Sequence, residues 1–129
     1  MAAKPPKPEP KHISVLSLGA GVQSSCLALM IAKGEVKTQH SEVHAIFSDV
    51  GWEPPKVYAW LNELEKHLPF PIHRVNRGHL RNDLLSSAKN KTRLGNPPLY
   101  SRSAEGKKGM LRRVCTYEYK ILPIIKQIR

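Results

Sequence analysis

Short apolar runs alternate with amphipathic segments through most of the chain, and this alternation limits the fold more than any other feature. Runs rich in β-branched residues predict strands, and apolar residues at helical spacing predict helices. The strand predictions cover 12–18, 42–48 and 71–75, and the helix predictions cover 22–33, 54–68, 79–86 and 116–128. The repeated strand–helix order predicts an α/β fold with an open, mostly parallel sheet, right-handed crossovers and helices on both faces.

The positive charge of the chain is concentrated in one late segment. The chain has 129 residues, the length of one domain, and a net charge of +11. The predicted domain covers 12–129. Its larger part, 12–88, has seven basic and seven acidic residues and so no net charge. The segment 87–114 has eight basic residues and one acidic residue, with three glycines, two prolines and no periodicity. We predict a long basic loop there, which could take a nucleic-acid or protein partner.

Composition excludes several other classes of protein. Residues 1–11 are rich in proline and lysine and predict a disordered tail. No apolar leader opens the chain, and its longest apolar stretch, 26–32, is too short to span a bilayer. Two cysteines cannot hold a four-cysteine cluster, and six scattered histidines lack the spacing of metal ligands. We therefore expect a cytoplasmic protein with no membrane partner, resident metal or iron–sulfur cluster.

The turn after the first predicted strand is rich in small residues. Small side chains let a ligand approach the backbone, and N–H groups at the start of the next helix attract anions. The residues predicted to bind phosphate here are Ser17, Gly19, Ala20, Gly21, Gln23, Ser24 and Ser25. An ordinary tight strand-to-helix turn is the alternative interpretation. We expect Gly21→Val to block phosphate approach, because its β-branched side chain fills the anion space and resists a positive φ.

Two further groups of residues add to this site. Asp49 and Gly51 follow the second strand, where an aspartate can accept a hydrogen bond from a ribose hydroxyl or help to hold a metal; a helix-capping aspartate is the alternative. Arg112, Arg113 and Lys120 form a late basic group that could bind a phosphate or sulfate; a solvated surface around a buried Cys115 is the alternative.

In their order along the chain, these motifs resemble the PP-loop superfamily and, within it, the phosphoadenylyl-sulfate (PAPS) reductase-like family. The family loop S-G-G-x-D-S is matched by 19–24, D-T-G-x-x-x-P-E-T-Y by 49–51 and 54–58, and C-x-x-x-K-V-x-P-L by 115 and 120–124. The resemblance implies a Rossmann-like fold of the adenine nucleotide alpha hydrolase type. It also implies that ATP, adenylyl sulfate or PAPS binds at the loop, with Mg²⁺ as a compatible cofactor.

Departures from the family pattern leave the reaction open. Gln23 stands where the ATP-cleaving members have aspartate, and is similar to the residue of the sulfonucleotide reductases. The reductases carry their nucleophilic cysteine in a C-terminal motif that has no counterpart here, so no catalytic residue is assigned. The resemblance implies a reductase-like oxidoreductase or an ATP-pyrophosphatase-type transferase. A basic nucleic-acid-binding module and a non-catalytic interaction protein remain the alternative functions.

Overall fold

The predicted alternation of strands and helices is present in the computed structural model, which describes residues 9, 11–91, 100–110 and 116–129. Most of the predicted tail lies outside the described residues. The first six elements are β1 (Ser14–Ser17), α1 (Val22–Ala32), β2 (Val43–Asp49), α2 (Pro55–His67), β3 (Ile72–Asn76) and α3 (Leu80–Asn90). They are followed by β4 (Tyr100–Arg102), β5 (Lys108–Met110), a π-helical segment (Tyr117–Ile121) and α4 (Leu122–Ile128).

The first three strands form a parallel sheet in the order β1-β2-β3. Ser14 is paired with Val43 in the register of β1 and β2, and Asp49 is paired with Asn76 in that of β2 and β3. Because the strands are parallel, the turns that follow them all leave from the same edge of the sheet. We call this the carboxyl edge; it holds the glycine turn and Asp49.

Alternate residues of β2 face two different layers of helices. Ala45 and Phe47 are buried in a core with Ala28 of α1 and with Leu61 and Leu64 of α2. On the opposite face, the buried Ser48 hydroxyl donates a hydrogen bond to the carbonyl oxygen of Tyr119 in the π-helical segment. The predicted α/β class with a parallel sheet is therefore confirmed, and helices pack against both faces of β2, which is compatible with an open α/β fold. None of the helices in the described ranges is long and apolar enough to cross a membrane.

The structure differs from the predicted long loop over 87–114. Helix α3 continues to Asn90, and the Lys91 N–H closes its last turn by donating to the Ser87 carbonyl oxygen. Ser87 is buried within this extension, and its hydroxyl donates to the Leu84 carbonyl oxygen at 2.9 Å. Residues 100–110 form an antiparallel hairpin, whose turn is closed by Gly106 with a φ of +82°. The rest of the predicted loop, 92–99 and 111–114, lies outside the described residues.

Candidate functional site

The glycine turn joins β1 to helix α1 and begins at the buried Leu18. The Leu18 N–H donates to the Ile46 carbonyl oxygen at 2.9 Å, which ties the start of the turn to β2. The left-handed residue of the turn is Ala20, with a φ of +56°, whereas Gly21 has an extended φ of −80°. The expectation that Gly21 needs a positive φ is therefore wrong. Gly21 instead has open space beside it, since a Cβ placed there meets nothing within 4 Å.

Helix α1 begins at this open space without a side-chain cap. Its first turn contains no acidic residue, and its N-cap, Gly21, has no side chain that could accept from the free N–H groups. The Ser24 hydroxyl donates to the Gly21 carbonyl oxygen at 3.2 Å instead. A shallow cavity of about 550 Å³ lies over the turn. Its lining residues are Gly19, Gly21, Val22, Gln23 and Ser24. Uncapped N–H groups beside such a cavity favour an anion.

Three of the predicted turn residues, Ser17, Ala20 and Ser25, are not among the residues that line this cavity. Ser25 is buried, and its Oγ accepts a hydrogen bond from the Trp60 indole N–H at 2.9 Å. This contact joins α1 to α2, so the Ser25 hydroxyl serves helix packing. Ser17, the last residue of β1, is exposed at the carboxyl edge.

Asp49 is held in one orientation at the end of β2. Its Oδ1 accepts hydrogen bonds from the Gly51 N–H at 2.7 Å and the Tyr58 hydroxyl at 2.8 Å. Its carbonyl oxygen accepts from the Asn76 side-chain amide at 3.0 Å. Burial and the neighbouring Asp49 raise the pKa of Tyr58, so its hydroxyl stays a donor at neutral pH. Within the described ranges, Oδ2 of Asp49 has no hydrogen-bond partner, which leaves it available to a ligand.

Gly51 is tightly confined, unlike Gly21. Its φ is +71°, and a Cβ at this position would lie 3.1 Å from the His79 ring. The Leu80 N–H also donates to the Val50 carbonyl oxygen at 2.9 Å, which joins the turn after β2 to the start of α3. Gly51 is therefore required by the fold, whatever binds nearby.

Trp52 is a candidate site residue that sequence reasoning missed. It follows Gly51, its side chain is 53% exposed, and its indole N–H has no hydrogen-bond partner in the described part of the chain. Two prolines, Pro54 and Pro55, follow closely and limit the backbone of this loop. Its position directly after the Asp49 motif is a sequence signal that could have identified it as a stacking surface.

A polar cluster at the carboxyl end of β3 was also missed. The Tyr119 hydroxyl donates to Asp83 Oδ2 at 2.6 Å, and the Arg77 guanidinium lies 5.6 Å from the centre of the Tyr119 ring. Arg77 also forms an ion pair with Glu118 at 3.4 Å. Burial, followed by the hydrogen bond to Asp83, raises the pKa of Tyr119 to about 12. The cluster fastens the π-helical segment to the sheet.

Only part of the predicted late basic group can be located. Lys120 lies in the π-helical segment and is exposed. Arg112, Arg113 and Cys115 lie outside the described residues. The structure therefore brings the glycine turn and Asp49 to one edge of the sheet, while the arginines of the basic group have no described position.

Comparisons with known proteins found no relative of this chain. Protein-family models, curated proteins and solved structures were all compared with the chain, and none of them matches it. The functional interpretation therefore depends on the residues and geometry of the carboxyl edge.

Proposed function

We propose that this chain binds an adenine nucleotide at the carboxyl edge of its parallel sheet. The observation that carries the proposal is the open space over Gly21, at the uncapped start of α1. Backbone N–H groups in this position hold phosphate without any cationic side chain. The phosphates would lie over 19–24, where the cavity is lined by small or polar side chains and the exposed Val22.

The nucleoside would lie beside the turn after β2. Open α/β sheets bind ligands outside the carboxyl ends of their strands, and an acidic residue there commonly accepts from a ribose hydroxyl. Asp49 presents Oδ2 for that role while Oδ1 is held by Gly51 and Tyr58. Trp52 offers an exposed indole on which a purine base can stack.

Membership of the PP-loop superfamily, and of its PAPS reductase-like branch, is part of this proposal. It is supported by the order of the three motifs and by the parallel α/β architecture that carries the first two. A single carboxylate, Asp49, is compatible with Mg²⁺ that arrives bound to the nucleotide phosphates, because Mg²⁺ usually takes one or two protein carboxylates. The proposal assigns binding to these residues and assigns no catalytic residue.

A ligand screen tests the proposal directly. Calorimetric titrations of the full chain would use ATP, adenylyl sulfate, PAPS and inorganic tripolyphosphate, each with and without Mg²⁺. We expect at least one nucleotide to bind more tightly than tripolyphosphate, because the nucleoside adds contacts at Asp49 and Trp52. If none of the three nucleotides binds, the proposed function is wrong.

Tryptophan fluorescence locates the base in the same experiment. The chain has two tryptophans, and the indole of Trp60 is already bonded to Ser25. In a Trp60→Phe variant the emission comes from Trp52 alone, and a stacked base should quench it. In the matched Trp52→Phe variant the remaining Trp60 emission should change little. Quenching confined to Trp60 would contradict the placement of the base.

A further inference from the structure

The hairpin of β4 and β5 carries a surface whose residue types differ from those of the carboxyl edge. Its register pairs Tyr100 with Met110 and Arg102 with Lys108. Residues two apart on a strand point to the same side, and directly paired residues share a side. One face of the hairpin therefore carries an aromatic ring, a thioether and two cations. We call these four residues the hairpin face.

The hairpin face is open to solvent. Tyr100 is 80% exposed and Met110 is 63% exposed, and the side chains of Arg102 and Lys108 are exposed as well. None of the four side chains has a hydrogen bond, ion pair or ring contact in the parts of the chain that the structure describes. The tyrosine ring and the methionine thioether therefore do not contribute to the hydrophobic core.

The paired cations are unfavourable in the free hairpin. Like charges directly opposite one another destabilise a strand pair, and Arg102 and Lys108 are such a pair. The nearest acidic residue in the hairpin, Glu105, lies in the turn rather than on the hairpin face. An anion between the two cations would remove their repulsion and accept charge-assisted hydrogen bonds from both.

The hairpin is held in shape by its own turn. The Ser103 N–H donates to the Lys107 carbonyl oxygen at 2.9 Å, and the Lys107 N–H donates to Ser103 Oγ at 3.1 Å. Gly106 supplies the left-handed residue and donates to the Ser103 carbonyl oxygen at 2.9 Å. These bonds fix the register that brings the four residues of the hairpin face together.

We propose that the hairpin face binds single-stranded nucleic acid. A backbone phosphate lies between Arg102 and Lys108, and an adjacent base stacks on Tyr100 with Met110 beside it. An unpaired strand is favoured over a duplex because only an unpaired base exposes its flat face to the tyrosine ring. This function is independent of nucleotide binding at the carboxyl edge.

The key variant is Lys108→Glu, measured with the full chain and a short fluorescently labelled oligouridylate. It replaces the like-charge pair by an opposite-charge pair, so we expect thermal stability to be kept or raised. Affinity for the oligonucleotide should fall at least about tenfold, because one phosphate contact is lost and a negative charge is added. The slope of log affinity against log salt concentration should decrease by about 0.7. The matched control is Lys37→Glu, an equal change of charge outside the hairpin, which should lower the affinity much less.

Substitutions of Tyr100 test the stacking. Tyr100→Phe should keep the affinity, and Tyr100→Ala should lower it about tenfold while leaving the salt slope unchanged. Equal losses in Lys108→Glu and Lys37→Glu would overturn the proposal, because binding would then depend on net charge alone. Equal affinity for a duplex of the same length, or stronger binding to phosphatidylserine vesicles, would also overturn it.

Discussion

Gly21 and Gly51 lie in neighbouring turns of the same sheet edge, but different constraints act on them. Gly21 has an ordinary extended φ and open space beside it, so its lack of a side chain matters only to something that approaches from outside. Gly51 has a left-handed φ and a neighbouring ring at 3.1 Å, so its lack of a side chain matters to the fold itself. At residue scale, the proposed ligand site and the structural turn are therefore separable.

Alanine substitutions of the two glycines should differ in their effect on the free energy of unfolding. Gly51→Ala should lower the free energy of unfolding by about 1–3 kcal/mol, because it forces alanine into a left-handed backbone against His79. Gly21→Ala should lower it by less than about 1 kcal/mol, because the position is open and unstrained and the only cost is that alanine is a poorer N-cap than glycine. Urea denaturation of the two variants measures both. Equal losses of stability would contradict the geometry of the turns.

Asp49 has a structural role and a proposed ligand role, and two variants separate them. Tyr58→Phe removes one hydrogen bond to Oδ1 and should cost about 1 kcal/mol of stability. It should lower nucleotide affinity much less than Asp49→Asn does, because the Gly51 N–H still holds Oδ1. Asp49→Asn keeps an oxygen acceptor but removes the charge, so it should weaken nucleotide binding more than it weakens the fold. Calorimetry beside equilibrium unfolding decides between the roles. If Asp49→Asn lowers stability alone, the aspartate is a structural residue only.

At the scale of elements, the π-helical segment depends on a buried tyrosine. Tyr119 is 2% exposed and donates its hydroxyl proton to Asp83, and its pKa is raised to about 12. Its carbonyl oxygen also accepts from Ser48 of β2. Tyr119 therefore attaches the segment through both its backbone carbonyl and its side chain. The side-chain hydrogen bond requires that the phenol be protonated.

The raised pKa predicts a stability change at alkaline pH. The folded protein holds the phenol proton more tightly than the unfolded chain, whose tyrosine pKa is about 10. The stabilisation is therefore fully present below pH 10 and declines as pH rises from about 10 to 12. Tyr58 contributes in the same direction. Between pH 10 and 12 the free energy of unfolding should fall less steeply with pH in Tyr119→Phe than in the wild type. An identical pH dependence in both proteins would contradict the account.

The elements differ in how far the sequence could predict them. The three parallel strands and their helices follow local apolar patterns, and the structure has them within a few residues of the predicted bounds. The hairpin was missed because its strands have three residues each and contain Arg, Lys, Ser and Gly rather than an apolar alternation. The contact between Asp83 and Tyr119 joins residues 36 positions apart, so no local periodicity could indicate it.

At the scale of the whole molecule, the two proposed anion sites differ in kind. The carboxyl edge uses backbone N–H groups within a part of the chain that has no net charge. The hairpin face uses cationic side chains in the segment that carries most of the excess positive charge. The two proposals therefore place a small nucleotide and a polyanion on separate parts of one chain.

This separation predicts that each site can be disabled alone. Lys108→Glu should lose oligonucleotide binding and keep the nucleotide affinity of the wild type within about twofold, since it leaves the glycine turn unchanged. Gly21→Val should do the reverse. Titration of both variants with both ligands measures this directly. A variant that lost both ligands while still folded would indicate a single shared site.

The central claim is that phosphate lies over Gly21, and calorimetric titration of a Gly21→Val variant with the nucleotide that binds best tests it most directly. The matched control is Ala88→Val, which also adds a β-branched side chain at an exposed position. We predict that Gly21→Val still folds, with a loss of about 1 kcal/mol because valine is a poor N-cap. It should bind at least about tenfold more weakly, because its side chain occupies the phosphate space. Ala88→Val should bind like the wild type. A folded Gly21→Val protein with the affinity of the wild type would contradict the claim.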